Sequence, residues 1–309
     1  MKHKLKITII ILTMFLVTQL IGLYVVGHYS PVKIVNGEKV NVSAPGLPFG
    51  LETPQIEKQS DFLITLLPSI IFAFIVAILL ILLLTRIRSR FILRLWFFIV
   101  IIIALGISFN SVIDRFAYST FIAAAIAIPF AAIKVYGRNI LVHNFTELLI
   151  YPGIAAVFVP ILNIYTIIIL LVIISIYDMW AVWHSGIMQK MAKYQMNELK
   201  IFGGFMIPYI SKKLREKLKK LKPSQLKKKK IKINVAILGG GDVVFPLITA
   251  GVVLVTWGLI PAILVILGAL LGLGYLLVFS EKKKFYPAMP FITTGILLGM
   301  LAGWLTTVL

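Results

Sequence analysis

Apolar residues in this chain come in long blocks. Runs of about twenty residues with little or no charge occupy 7–26, 62–84, the stretch from beyond Arg94 to about Phe109, 116–133, 161–183, 233–255, 259–279 and 287–308, with a shorter run at 145–160. At about 1.5 Å per residue such a run crosses a hydrocarbon core about 30 Å thick, so each block predicts a transmembrane helix. The block at 145–160 contains Pro152 and is expected to kink or tilt among its neighbours. The first block is long for the apolar part of a cleavable signal and no small-x-small site follows it, so it reads as a retained span. The result is an all-α polytopic membrane protein of nine transmembrane helices without an internal repeat. Spans 1–5 (residues 1–160) form an N-terminal scaffold. Spans 6–9 (residues 161–309), with the loop 184–232 inside them, form the second part of one structural unit.

Composition agrees. Of 309 residues 60% are hydrophobic and 14% charged, with a mean hydropathy of +1.01, which excludes a pair of soluble domains. The net charge of +20 would suggest nucleic acid in a soluble protein. Here it reflects topology, because cytoplasmic loops are rich in Lys and Arg. Nine crossings from a cytoplasmic N-terminus put 27 of the 31 Lys and Arg residues inside, leaving Lys33, Lys39, Lys58 and Arg115 outside. The expected location is the cell membrane, in contact with the lipid bilayer and without nucleic acid. Within the loop 184–232, residues 212–221 read either as a basic, leucine-striped helix on anionic lipid or as a solvated topology signal. Without cysteine there is no disulfide, thiol nucleophile or thiolate metal site.

Only two of the 11 acids, Asp178 and Asp242, lie well inside spans; Glu147 sits near the cytoplasmic start of span 5. An acid within a bilayer is costly and marks a functional site by default. Asp242 follows Gly239, Gly240 and Gly241, a run expected to loosen span 7 and to open a wet pocket. Span 6 runs outside to inside and span 7 runs back, so both carboxyls fall at similar depth in the cytoplasmic half. Two carboxyls that meet share a proton: one can activate water while the other protonates a carbonyl oxygen, as in peptide hydrolysis by an aspartic protease. The alternative is an ion- or proton-coupled transporter using Asp178 and Asp242 as a relay. No H-E-x-x-H is present, His184 has no second His at ligand spacing, and no metal or other cofactor is expected.

Three short motifs in order carry a resemblance. Tyr177-Asp178 on one span, Gly239-Gly240-Gly241-Asp242 on the next and Pro287-Ala288-Met289 opening the last resemble the Y-D, G-x-G-D and P-A-L signatures of presenilins and signal peptide peptidases, the intramembrane aspartyl proteases. The resemblance covers residues 161–309. It implies a presenilin-like fold, Asp178 and Asp242 as the catalytic pair, and transmembrane-helix proteins as substrates. It further implies that Tyr177, Gly239, Gly240 and Gly241 shape the site, and that Pro287, Ala288 and Met289 help place substrate. Met289 stands where the family usually has Leu, a residue of similar volume and polarity. Prepilin peptidases share G-x-G-D but lack the P-A-L element. A cytoplasmic N-terminus resembles presenilins and implies substrates with an outside N-terminus. The short loops suggest a prokaryotic, archaeal member.

Overall fold

The computed structural model describes residues 5–35, 38–51, 68, 69, 72, 76, 90–137, 139–185, 201–209, 234–280 and 286–308. Eight long helices are defined among them: α1 (Leu5–Tyr29), α2 (Arg90–Ile113), α3 (Ser119–Tyr136), α4 (Ile140–Phe158), α5 (Ile164–Trp180), α6 (Gly241–Trp257), α7 (Leu259–Phe279) and α8 (Met289–Val308). All but α6 are long and apolar enough to cross a membrane; α6 is a shorter apolar helix of 17 residues. Of the expected span 2 only residues 68, 69, 72 and 76 are described, all helical. The basic stretch 212–221 lies outside the described residues.

Local sequence sets several helix starts. Asn139 caps α4, its side chain accepting from the N–H of Leu141 (2.9 Å) and Val142 (3.3 Å). Asn163 caps α5 by accepting from the Thr166 N–H at 3.0 Å. The cap at Asn139 starts α4 five residues before the expected span 5, and the helix continues through Pro152 to Phe158. Glu147 is consequently inside the membrane helix and not at its threshold.

The larger correction concerns residues 233–255. They do not form one helix. Asn234–Gly239 is a strand, β4, paired antiparallel with β3 (Gly204–Tyr209) from within the loop 184–232, in a register that sets Gly204 opposite Gly239. The strand shows in its burial: Ala236 and Leu238 are buried while Val235 and Ile237 are exposed, a period of two that a helix cannot present. A second ribbon, β1 (Val32–Val35) with β2 (Glu38–Asn41), lies in the polar connection after α1.

The helices pack around α1, which contacts α4, α6 and α7. Its Ile11 and Phe15 are fully buried, and Gln19, also buried, donates to the Val243 carbonyl of α6 at 3.0 Å. Lipid tails solvate apolar side chains as well as a protein core does, so association relies on close van der Waals fit. That fit is tightest between α7 and α8. A Cβ on Gly268, Gly295 or Gly299 would collide with the facing helix's backbone, at the Gly295, Gly268 and Leu264 carbonyls respectively. Gly153 of α4 meets the Ala104 carbonyl of α2 in the same way.

Polar contacts gather at two opposite ends. At one, His28 pairs with Asp114 (3.3 Å), the Tyr29 hydroxyl donates to the Ile107 carbonyl (2.9 Å), and Gly258, in the tight α6–α7 turn with φ +103°, touches Ile34. At the other lie Lys134, His143, Gly204, Asp178 and Met289, tied by the hydrogen bonds described below.

Candidate active site

Asp178 sits in the last turn of α5 and is only 8% exposed. Beyond it the helix widens into a π turn, Ala181–Ser185. Its carboxylate caps a different helix. The Met289 N–H, first in α8, donates to Asp178 Oδ2 at 3.0 Å, and the Ala288 N–H is directed at the same carboxyl. The first N–H groups of any helix lack internal acceptors, and negative charge is favoured there. Pro287 fits this arrangement, since it has no N–H to satisfy just before two that must be. One turn earlier on α5, the Ser175 hydroxyl donates to the Thr293 hydroxyl of α8 at 2.8 Å. The Pro287-Ala288-Met289 segment is thus joined to Asp178 by backbone, and the Met289 side chain is buried.

Asp242 lies in the first turn of α6. The glycines before it do not loosen a helix, as the sequence led us to expect; they turn a strand into one. Gly239 ends β4, Gly240 donates its N–H to the Gly203 carbonyl at 3.2 Å, and Gly241 begins α6. A Cβ on Gly239 would come 3.2 Å from Asp242 Oδ2, whose carboxyl is also reached by the Gly239 N–H. A Cβ on Gly240 would come 2.8 Å from the Tyr151 hydroxyl. A side chain at Gly240 would press on the buried Tyr151 hydroxyl, and one at Gly239 would crowd the Asp242 carboxyl. Pro246 withholds the N–H that the Asp242 carbonyl would otherwise accept, so the helix is weakened one turn past the acid.

Helices α5 and α6 pack against each other, and the Asp178 carboxyl lies near enough for its charge to act on Asp242. Tyr177, adjacent in sequence, is not drawn in with them: its ring is 51% exposed and lies 6.2 Å from that of Trp180. Of the residues singled out by sequence, Asp178, Asp242, Gly239, Ala288 and Met289 converge through backbone and carboxyl contacts. Gly240 meets them through Tyr151, and Gly241 only through the chain.

Sequence reasoning missed a second polar group. Glu147 (1% exposed) forms an ion pair with Lys134, which closes α3, and lies 3.8 Å from His143 Nε2. Tyr151, one turn further along α4, is buried, and its hydroxyl sits beside the Glu147 carboxyl without a well-formed hydrogen bond to a described residue. Glu147 and Asp242 are the charged groups that act on it. The spacing of His143, Glu147 and Tyr151 at every fourth residue was the available signal. Among the described residues no three His, Asp or Glu side chains converge as a metal site would require.

Comparisons with known proteins bear on the family and the fold. Residues 48–309 match the family described as "Signal-peptide peptidase, presenilin aspartyl protease". Two solved structures of a presenilin family intramembrane aspartate protease share the fold. The first, in space group C222, is 20% identical with a TM-score of 0.60, covering 97% of this chain and 99% of its own. The second, in space group P2, is 18% identical with a TM-score of 0.60, covering 96% of each chain. Among curated proteins none matches. With well over half of its length matched, the chain belongs to the signal-peptide peptidase and presenilin family of aspartyl proteases.

Proposed function

We propose that this protein hydrolyses peptide bonds inside transmembrane helices of other membrane proteins, with Asp178 and Asp242 as a catalytic dyad. The observation that carries the reading is the convergence of these two carboxyls from separate apolar helices, Asp178 buried against an amide-lined helix start and Asp242 half-buried against a glycine turn. One carboxylate takes a proton from water as the water oxygen attacks the scissile carbonyl carbon. The protonated partner donates to the carbonyl oxygen, and the proton taken from water later reaches the leaving amine. A peptide bond in a transmembrane helix is shielded by its own hydrogen bonds, so the substrate must first unwind. Its freed N–H and C=O groups then need partners, since lipid supplies none. The β3–β4 ribbon, which runs into the Asp242 turn, offers backbone of that kind, and Pro287, without an N–H, can add only its carbonyl.

In the same reading the chain crosses the cell membrane nine times from a cytoplasmic N-terminus, with Tyr177, the glycines 239–241 and residues 287–289 shaping the substrate cleft. The 27-to-4 distribution of Lys and Arg supports this orientation. A transmembrane peptide with its N-terminus outside is the matching substrate. In detergent, the purified protein should cleave such a peptide, and Asp178→Asn and Asp242→Asn should each abolish cleavage. The double variant should be scarcely worse, because residues acting as a unit are not additive. Appreciable proteolysis by either folded single variant would sink the dyad.

A further inference from the structure

A polar stripe runs along α4 toward the candidate dyad. His143, Glu147 and Tyr151 share one face of the helix, all three are buried, and Lys134 of α3 joins them. Ionisable groups buried within a bundle of membrane helices are costly to retain. Here each contact leads to the next. Lys134 lies 3.2 Å from His143 Nδ1, and a lysine ammonium can only donate, so the ring carries its proton on Nε2. Nε2 then donates to the Gly204 carbonyl at 2.8 Å. Asn144 clasps the same strand, accepting from the Met206 N–H at 3.0 Å and donating to the Met206 carbonyl at 2.8 Å. Gly204 faces Gly239 across the ribbon, and the Gly239 backbone touches the Asp242 carboxyl. At the far end of the stripe stands the Tyr151 hydroxyl, buried against Gly240 and without a well-formed hydrogen bond to a described residue; two carboxyls act on it, Glu147 more strongly and Asp242 as well.

We propose that His143 and Tyr151 are positioning residues for Asp242. His143 fixes the height of the β3–β4 ribbon from which Asp242 is hung, and the Tyr151 hydroxyl bears on the carboxyl from the side, completing its hydrogen bonds when water and substrate occupy the cleft. Lys134 and Glu147 serve the arrangement by holding the His143 ring in its donating form.

The inference rests on the dyad reading, and the two fail separately. In the full-length protein with a transmembrane peptide substrate, Tyr151→Phe removes one oxygen and keeps the ring, which packs edge-on to Phe205 at 6.0 Å. It should lower kcat about tenfold or more while KM and the melting temperature in detergent stay at wild-type values. His143→Leu should do the same, and His143→Gln, whose amide can still donate to the Gly204 carbonyl, should recover most of the loss. Wild-type kcat in Tyr151→Phe overturns the proposal, as does a His143→Gln variant no better than His143→Leu. Should His143→Leu not fold, Tyr151→Phe decides alone. If Asp178→Asn retains activity, the dyad reading falls. If Asp178→Asn is dead and Tyr151→Phe is unimpaired, only the positioning role falls.

Discussion

At the scale of single residues, the proposed chemistry turns on which groups Asp178 and Asp242 touch. Proline is tolerated at the first position of a helix, so Met289→Pro removes the Met289 N–H, together with the buried Met289 side chain. A hydrogen bond to a charged group contributes about 1.5–3 kcal/mol. Met289→Pro should therefore lower kcat by about 10- to 100-fold, while Met289→Leu, close in volume, should change stability by less than about 1.5 kcal/mol. Steady-state kinetics and thermal unfolding of the two variants check this; equal activity would detach residue 289 from the site. A pair of carboxyls that works with one shared proton also dictates the pH profile. Acid protonates both and removes the base; alkali ionises both and removes the acid, so kcat should pass through a maximum and fall on either side. A rate rising to a plateau on either side would mean one of the two is a spectator. The acids themselves were legible in the sequence, since charge is rare in apolar runs. Tyr151 was not, because an aromatic residue in such a run reads as packing until its hydroxyl is found buried between Glu147 and the Gly240 turn.

At the scale of elements, α3 and α4 are joined by a buried ion pair and α7 and α8 by glycine. Lys134→Met leaves Glu147 buried and uncompensated, a loss of about 3–5 kcal/mol, whereas Lys134→Met combined with Glu147→Leu should cost much less, since pair and desolvation penalty disappear together. Unfolding of the single and double variants in detergent separates these outcomes, and equal losses would show that the charge is not what matters. In the α7–α8 contact, Gly295→Leu places a side chain where the Gly268 carbonyl now lies, so α8 must move off α7 and draw Met289 away from Asp178. Both melting temperature and activity should drop, the latter even in the fraction that remains folded. Neither feature was foreseen. Lys134 looked like the polar end of a span and Glu147 like the start of the next; only the capped, earlier start of α4 carries Glu147 into the interior to meet the lysine.

At the scale of the whole molecule, polar contacts collect at two opposite ends, and the expected charge bias names one of them cytoplasmic. The candidate site is at the end reached by Lys134, Gly204 and Met289, which is the side where the sequence puts most of its cations. The chain has no cysteine, so single cysteines report cleanly. A membrane-impermeant thiol reagent should label Lys39→Cys from outside intact cells and Lys200→Cys only in inverted vesicles. The reverse pattern would invert the topology and with it the preferred substrate orientation.

The sequence by itself determined that the chain is a bundle of membrane helices, and the physical reason is local. In lipid each segment must satisfy its own backbone, so run length and polarity within about twenty residues decide the matter. It also singled out Asp178, Asp242 and the Pro287 segment, because each breaks an apolar pattern at its own position. Other facts depend on partners distant in the chain. Residues 234–239 are apolar enough for a helix, and become a strand because residues 204–209 supply the opposing hydrogen bonds. Gly239 and Gly240 are fixed by the Asp242 carboxyl and the Tyr151 hydroxyl that crowd them. Tyr177, beside Asp178 in sequence, is half exposed with its ring 6.2 Å from that of Trp180, while Tyr151, ninety-one residues before Asp242, is buried against Gly240. Hydropathy is a sum over neighbours along the chain. Register, crowding and the choice between two tyrosines are set by neighbours in space, which tertiary packing alone supplies.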